Sequence, residues 1–388
     1  MKLFAFLLSG VVALGVQSVS AETRGVTDDT IKIGTVTDLS GPLASWGVAA
    51  TNGQRMRYEE VNENGGINSR KIDFIVEDMQ YQIPMAVQAA AKLMTSDEVF
   101  AFVANLGTPP NNAIMKRTLD AGFPYIFPLS AGLSMSEPAY PLKKPYLLND
   151  RDTMRGAVRY FAETKGVKKI CYQVMANDYG TEVESGIKMA AETLGLEITA
   201  FGRHKPTETE FTAAVLQLRN SGCEALFIGS VSRDATQIYT TVRGAGWDVP
   251  VISSLGSLVP PVAENAAMEG FYTAAPFHLI DFEGAKDSAP HVYEWYQDYK
   301  ARFGANPSAQ AVIGYTMADV TVKALEKAGK DLTVDSFIAA FDSIESYNDP
   351  FGGPEVSFKG ATHYGAQYSV LSQVRDGKWV VVSQSLPF

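Results

Sequence analysis

The stretch Ile31-Lys-Ile-Gly-Thr-Val-Thr-Asp-Leu-Ser-Gly-Pro-Leu-Ala-Ser-Trp-Gly47 decides the fold. Ile31, Ile33, Thr35, Val36 and Thr37 are β-branched and suit a mostly buried parallel strand. That strand runs into a Gly-Pro loop and then a helix expected over Val48–Asn62, the opening unit of an α/β domain. The loop lacks the glycine spacing that cradles a dinucleotide. Its ligand-facing turn, at the C-terminal end of the strand, therefore has to be read for another kind of solute.

Outward from this unit the chain alternates. Strand Lys71–Glu77 precedes a helix over Met85–Met94, where Val87, Ala90, Ala91 and Met94 recur at helical spacing. Strand Val99–Ala104 precedes a helix over Asn112–Ala121, and Pro124–Phe127 is a further strand. Repeated β-α units of this length predict a parallel, doubly wound sheet. After Leu142-Lys-Lys-Pro-Tyr-Leu-Leu-Asn-Asp150 the alternation restarts as a second α/β domain. It runs through helix Thr153–Thr164, strand Lys169–Val174, helix Thr181–Leu194, strand Leu196–Phe201, helix Glu210–Arg219, strand Glu224–Gly229, helix Asp234–Gly244 and strand Val249–Ser253. Gly166, Gly195 and Gly222 sit where these helices should end.

The remainder is not a third copy. Pro290–Phe303 and Ala309–Ala328 read as helices, with Val292, Trp295, Tyr296 and Tyr299 forming a core stripe. Tyr364–Ser372 and Lys378–Ser385 flank Arg375-Asp-Gly-Lys378, a hairpin signature. A chain that returns from the second domain to the first, and then sends its tail back, has several crossings and hence a hinge.

Composition bounds the function. The 388 residues are 46% hydrophobic and 20% charged, enough for two domains. One cation, Lys2, an uncharged run from Leu3 to Val16 and Val19-Ser-Ala21 form a signal-peptide pattern with cleavage after Ala21. The rival, a membrane anchor, needs about 20 apolar residues. Without Lys2 the balance is 32 cations against 43 anions, or −11, which argues against nucleic acid and anionic lipid as partners. Cys171 and Cys223 each fall in a strand and are too few for zinc; an oxidising compartment permits a bridge between them, but cysteines inside strands read first as free, buried thiols.

No phosphate loop, Gly-x-Ser-x-Gly elbow or His-Glu-x-x-His is present. His204, His278, His291 and His363 are dispersed and read as ordinary surface or loop residues, so the expectation is a non-enzyme without metal or cofactor. What remains is a set of turn-rich segments at strand ends: Ser40–Gly47, Asn105–Asn112, Leu129–Gly132, Asn177–Gly180, Gly229–Asp234 and Ser253–Ser257. Each alone is an ordinary helix cap. Six at equivalent ends of two domains predict a cleft.

Ile31-Lys-Ile-Gly with Ser40-Gly-Pro42, Val61-Asn-Glu-Asn-Gly-Gly-Ile-Asn-Ser-Arg-Lys-Ile72 and Asn177-Asp-Tyr-Gly180, in this order, resemble the periplasmic leucine/isoleucine/valine-binding proteins, the solute receptors of branched-chain-amino-acid-type ABC importers. The likeness spans the mature chain. It implies a type I periplasmic binding protein: two Rossmann-like lobes, 22–148 plus 277–352 and 149–276 plus 353–388, with crossovers near Leu147–Asp150, Ala274–Phe277 and Phe351–Glu355. It also implies a periplasmic protein, monomer or weak dimer, that closes on a small solute and delivers it to an inner-membrane permease and ATPase.

By position, the resemblance makes Thr108, Leu129, Ser130 and Ala131 the grip on a ligand carboxylate. Trp46 becomes the wall of the pocket and Tyr179 the second-lobe tyrosine that closes over the ligand, with Ser230, Val231 and Gly256 completing the second lobe's share. Two departures bear on the solute. Leu255-Gly-Ser257 stands where the family's amino-acid receptors carry an acidic partner for the ammonium group, and Ala131 replaces a threonine. An unpaired buried ammonium would cost several kcal/mol. A neutral solute or an organic acid stacked on Trp46 and Tyr179 therefore stands beside the amino acid. Asp178 and Asp234 are candidate replacements for the missing charge, and Arg233 a candidate for a second acid group. Two rival classes remain: an α/β enzyme acting on an exported substrate, disfavoured by the lack of a paired nucleophile and base, and a ligand sensor in place of a transport receptor.

Overall fold

The computed structural model describes residues 23–277, 279–359 and 368–388. The expected signal peptide, His278, His363 and the start of the Tyr364–Ser372 strand lie outside them. Strand β1 (Thr30–Thr37) sits inside a parallel five-stranded sheet, between β2 (Lys71–Asp78) and β3 (Ala101–Val103), followed by β4 (Tyr125–Ile126) and β5 (Lys143–Lys144). Ile31, Ile33 and Val36 are buried, as a central strand requires.

Helices α1 (Ala44–Glu63), α2 (Ile83–Thr95) and α3 (Thr108–Asp120) connect these strands. Two of them start four residues earlier than the sequence predicts. For α1 the cause is Asp38, whose carboxylate accepts the Gly41 and Leu43 N–H groups at 2.6 and 2.8 Å and so folds the loop tightly onto the strand end. The helix returns so close that a Cβ on Gly47 would stand 1.9 Å from the Asp38 carbonyl oxygen. For α3, Gly107 turns at φ +87° and Pro109-Pro110 take first-turn positions, where a missing N–H costs nothing.

The second lobe opens with α4 (Asp150–Lys165), then β6 (Lys169–Met175), α5 (Asp178–Leu194), β7 (Glu197–His204), α6 (Thr212–Asn220), β8 (Ala225–Gly229), α7 (Ser232–Gly244), β9 (Val251–Ser253), the short α8 (Pro260–Ala263) and β10 (Tyr272–Ala275). Gly166 and Gly195 are left-handed caps of α4 and α5. The chain then returns to the first lobe with α9 (Ala285–Ser288), α10 (Pro290–Phe303), α11 (Ala309–Ala328) and α12 (Val334–Asp342). There the Val292, Trp295 and Tyr299 stripe packs on Met56 of α1. Finally β11 (Val370–Arg375) and β12 (Lys378–Ser383) form the expected hairpin, whose turn holds Asp376 and Gly377 at positive φ. It closes the second sheet in the order β12-β11-β10-β9-β8-β6-β7. Two doubly wound lobes with three crossings make a type I periplasmic binding protein fold.

Three expectations change. Cys171 and Cys223 form a disulfide with their Cα atoms 5.7 Å apart. Each strand considered alone hides this pairing, but β6 and β8 are parallel neighbours, with Ile170 opposite Ala225. His204 is not a surface residue: it is buried at the end of β7 against Phe211 and Asp234. The last crossing lies beyond Phe351–Glu355, because Tyr347 and Val356 exchange backbone bonds of 2.8 and 3.0 Å and Phe358 packs 5.1 Å from Phe127.

Candidate functional site

The strand ends of the two lobes meet around a cavity of about 40 Å³. The Ser40–Gly47 loop supplies its first wall. Asp38 fixes the loop from below, while Asp78 accepts the Ser40 hydroxyl at 2.6 Å and the Leu39 N–H at 2.9 Å. The helix thus started places Trp46, 2% exposed, edge-on to Phe277 at 5.9 Å, with its indole Nε1 buried and unpartnered.

The second wall is polar. Thr108 is the first residue of α3, and its Oγ1 lies 2.8 Å from Ser130 Oγ, which accepts the Gly132 N–H at 3.2 Å. Pro109 and Pro110 have no N–H, so Thr108 is the donor available at the very start of this helix. Leu129 and Ala131 complete that side. Two hydroxyls beside a helix start favour an anionic group.

Tyr179 faces them from the second lobe. Asn177 caps α5 by accepting the Gly180 N–H at 3.0 Å, which sets Tyr179 on the first turn. Its hydroxyl bonds to Ser254 Oγ and accepts the Gly256 N–H at 3.2 Å. Gly256 lies under that hydroxyl: a Cβ there would stand 2.8 Å from it. Val231 adds an apolar edge. Of the residues predicted from sequence, Trp46, Thr108, Leu129, Ser130, Ala131, Tyr179, Val231 and Gly256 line this one cavity. Ser230 does not, since its Oγ turns to His204 Nε2 at 3.4 Å.

Sequence reasoning missed Tyr81 and, above all, Asp150. Asp150 begins α4 at the first crossing, and its N–H is tied to the Ala131 carbonyl at 2.6 Å. It is 1% exposed, and neither carboxylate oxygen has a hydrogen-bond partner. Burial pushes its pKa well above the usual carboxylate range, and the Glu182 charge adds to that. Its only signal in the sequence was an acidic residue at a helix start, which reads as a cap.

The two aspartates offered as replacements for the missing charge, and the arginine offered for a second acid group, already have partners. Asp234 is fully buried between Arg233, at 2.6 Å, and His204, at 3.3 Å. Arg233 also donates to the Pro206 carbonyl at 2.7 Å, and it does not line this cavity. Asp178 accepts from Asn112 at 2.6 Å across the cleft. The cavity is therefore lined by paired hydroxyls, one lone carboxylate and apolar side chains.

A family model for periplasmic binding proteins matches residues 30–378. The chain belongs to the periplasmic binding protein family. A leucine-, isoleucine-, valine-, threonine- and alanine-binding protein of Pseudomonas aeruginosa is 24% identical over 310 residues, covering 78% of this chain and 79% of that protein. A fatty acid ABC transporter substrate-binding protein from Thermomonospora curvata superposes with a TM-score of 0.85 at 26% identity, covering 95% of each chain. An R. palustris solute-binding protein in complex with benzoate reaches a TM-score of 0.81 at 18% identity over 92% of this chain and 97% of that one, a likeness of fold. The resemblance to Leu/Ile/Val-binding proteins holds.

Proposed function

We propose that this chain is an exported receptor that captures a small α-amino acid with an apolar side chain between its lobes and hands it to an ABC permease. The lobes are 22–148 plus 277 through Phe358, and 149–276 with the β11–β12 tail. One observation carries the choice of solute: the partnerless carboxylate of Asp150, buried in the same cavity as the Thr108 and Ser130 hydroxyls. A zwitterion answers both kinds of group at once. Its carboxylate takes the hydroxyls and the helix start, its ammonium neutralises Asp150, and its side chain lies against Trp46 and the leucines. Because such a ligand touches both lobes, it favours the closed state by its differential affinity.

A second reading rests on the raised pKa of Asp150. A carboxyl that keeps its proton donates a hydrogen bond, and so would hold an organic acid or amide instead of an ammonium group. Titration calorimetry with valine, alanine and benzoate, on wild type and Asp150→Asn, separates the two. For an amino acid, Asp150→Asn weakens binding by about 100-fold, the order expected when a buried charge loses its partner. Benzoate binding that is tighter than any amino acid's, and changes less than about threefold in Asp150→Asn, overturns the amino-acid reading.

A further inference from the structure

We propose that Tyr81 is a specificity-determining residue of the cleft: its hydroxyl oxygen accepts an N–H from the cargo's ammonium group beside Asp150, so the site selects an amine over a cargo that has only a carboxylate. This deepens the amino-acid reading and rests on it. Tyr81 belongs to the first lobe, in the connection between β2 and α2, and lines the cavity around Asp150.

The backbone there is unusual. Gln80 and Tyr81, neither a glycine, both stand in the left-handed region, at φ 50° and 54°. Two such residues in a row are unfavourable for side chains with a Cβ and persist only where neighbours impose them. Asp78 Oδ1 accepts the Gln80 N–H at 3.0 Å, and the Gln82 N–H returns to the Met79 carbonyl at 2.8 Å. The same Asp78 carboxylate holds the Ser40 loop, so one side chain sets two walls of the cavity. The turn lays the Tyr81 ring over Gly107, immediately before α3, where a Cβ would stand 2.5 Å from Tyr81 Cε2.

Among the described residues four hydroxyls line this cavity, on Thr108, Ser130, Tyr179 and Tyr81. Those of Thr108 and Ser130 are 2.8 Å apart, and that of Tyr179 is held by Ser254 and the Gly256 N–H. The Tyr81 hydroxyl has no hydrogen-bond partner among the described residues, and it is not one of the unpartnered atoms shut off from solvent. Burial pushes its phenol above the ordinary tyrosine range, and the charge of Asp150, ahead of those of Asp38 and Asp178, adds to that. The group therefore stays neutral, and its oxygen offers lone pairs without a second negative charge. Trp46 Nε1 is also unpartnered, but an indole N–H is a donor only. An ammonium group has three N–H donors to place, so Asp150 alone does not exhaust it.

Calorimetric titration with valine and with 3-methylbutanoate, the same acid without its amine, tests this on wild type and Tyr81→Phe. The substitution keeps the ring over Gly107 and removes the hydroxyl alone. It should weaken valine about tenfold, the scale of one lost bond to a charged group, and leave 3-methylbutanoate within about twofold. Where the wild type holds no 3-methylbutanoate, the amine is itself essential and the valine loss decides. Valine affinity unchanged in Tyr81→Phe, or an equal fall for both ligands, overturns the role of Tyr81. If valine still weakens in Asp150→Asn, the amino-acid reading then stands without it. Binding of neither valine nor alanine by the wild type overturns both.

Discussion

Asn112 Nδ2 donates to Asp178 Oδ2 at 2.6 Å, joining α3 of one lobe to α5 of the other across the mouth of the cleft. Its orientation is set from behind, because Asn112 Oδ1 accepts the Ser134 hydroxyl at 2.7 Å and so turns the amide towards Asp178. Because the pair bridges the two lobes, separating them would break it. It is solvent-facing and contributes about 1 kcal/mol or less. Asn112→Ala should therefore weaken cargo about threefold to fivefold, almost wholly through faster release. Stopped-flow dissociation reads this directly, and an unchanged off-rate would show that the contact does not hold the closed state.

Asp150 should make stability depend on pH in a definite direction. Its folded pKa is raised, so the folded chain retains a proton that the unfolded chain loses near pH 4. Below that pH the buried carboxyl is neutral in both states and carries no charge penalty. As pH rises towards the folded pKa, the penalty grows and stability falls. Asp150→Asn should thus stabilise the ligand-free protein at pH 7, with the gain vanishing near pH 4. Urea denaturation at the two pH values checks it, and a gain of equal size at both would assign the effect to packing instead of charge.

The disulfide gives a third expectation. Cys171 and Cys223 enclose a separation of 52 residues, for which the chain-entropy account gives about 4 kcal/mol. Reduction should lower unfolding free energy by that order. Cargo affinity should stay within about twofold, because Cys171 lies in the body of β6 and the cavity is built at the strand ends. Denaturation and calorimetry with and without reductant measure both.

These cases also show what was legible in the sequence. The Ile31–Gly47 unit was, because β-branched spacing and a Gly-Pro turn are local signals that the fold did not override. Thr108, Tyr179 and Gly256 were reachable for a related reason: each sits at a strand end, and an open sheet brings strand ends together. Asp150 was not, since its meaning lies in what fails to surround it. Asp178 and Asp234 looked as free as Asp150 until Asn112, 66 positions away, and His204, 30 away, were seen against them. β5 is two lysines long, with no apolar alternation to announce it.

Gly256 tests whether the second-lobe side of the cavity is built as described. Its backbone φ is not in the left-handed region, so alanine there meets an obstacle of space alone. The new Cβ would lie 2.8 Å from the Tyr179 hydroxyl and 3.1 Å from the Ser230 carbonyl. The ring cannot yield freely, because that hydroxyl is tied to Ser254 and to the Gly256 N–H. Overpacking of this kind costs about 1–3 kcal/mol, so Gly256→Ala should weaken cargo by roughly tenfold or more. Tyr179→Phe removes the atom the Cβ strikes. In the double variant the two losses should therefore sum to less than their separate values, with a coupling of about 1 kcal/mol in a double-mutant cycle read by calorimetry. Strict additivity would mean that the Cβ is stopped by the Ser230 carbonyl, and that Gly256 shapes the floor of the cavity independently of the tyrosine.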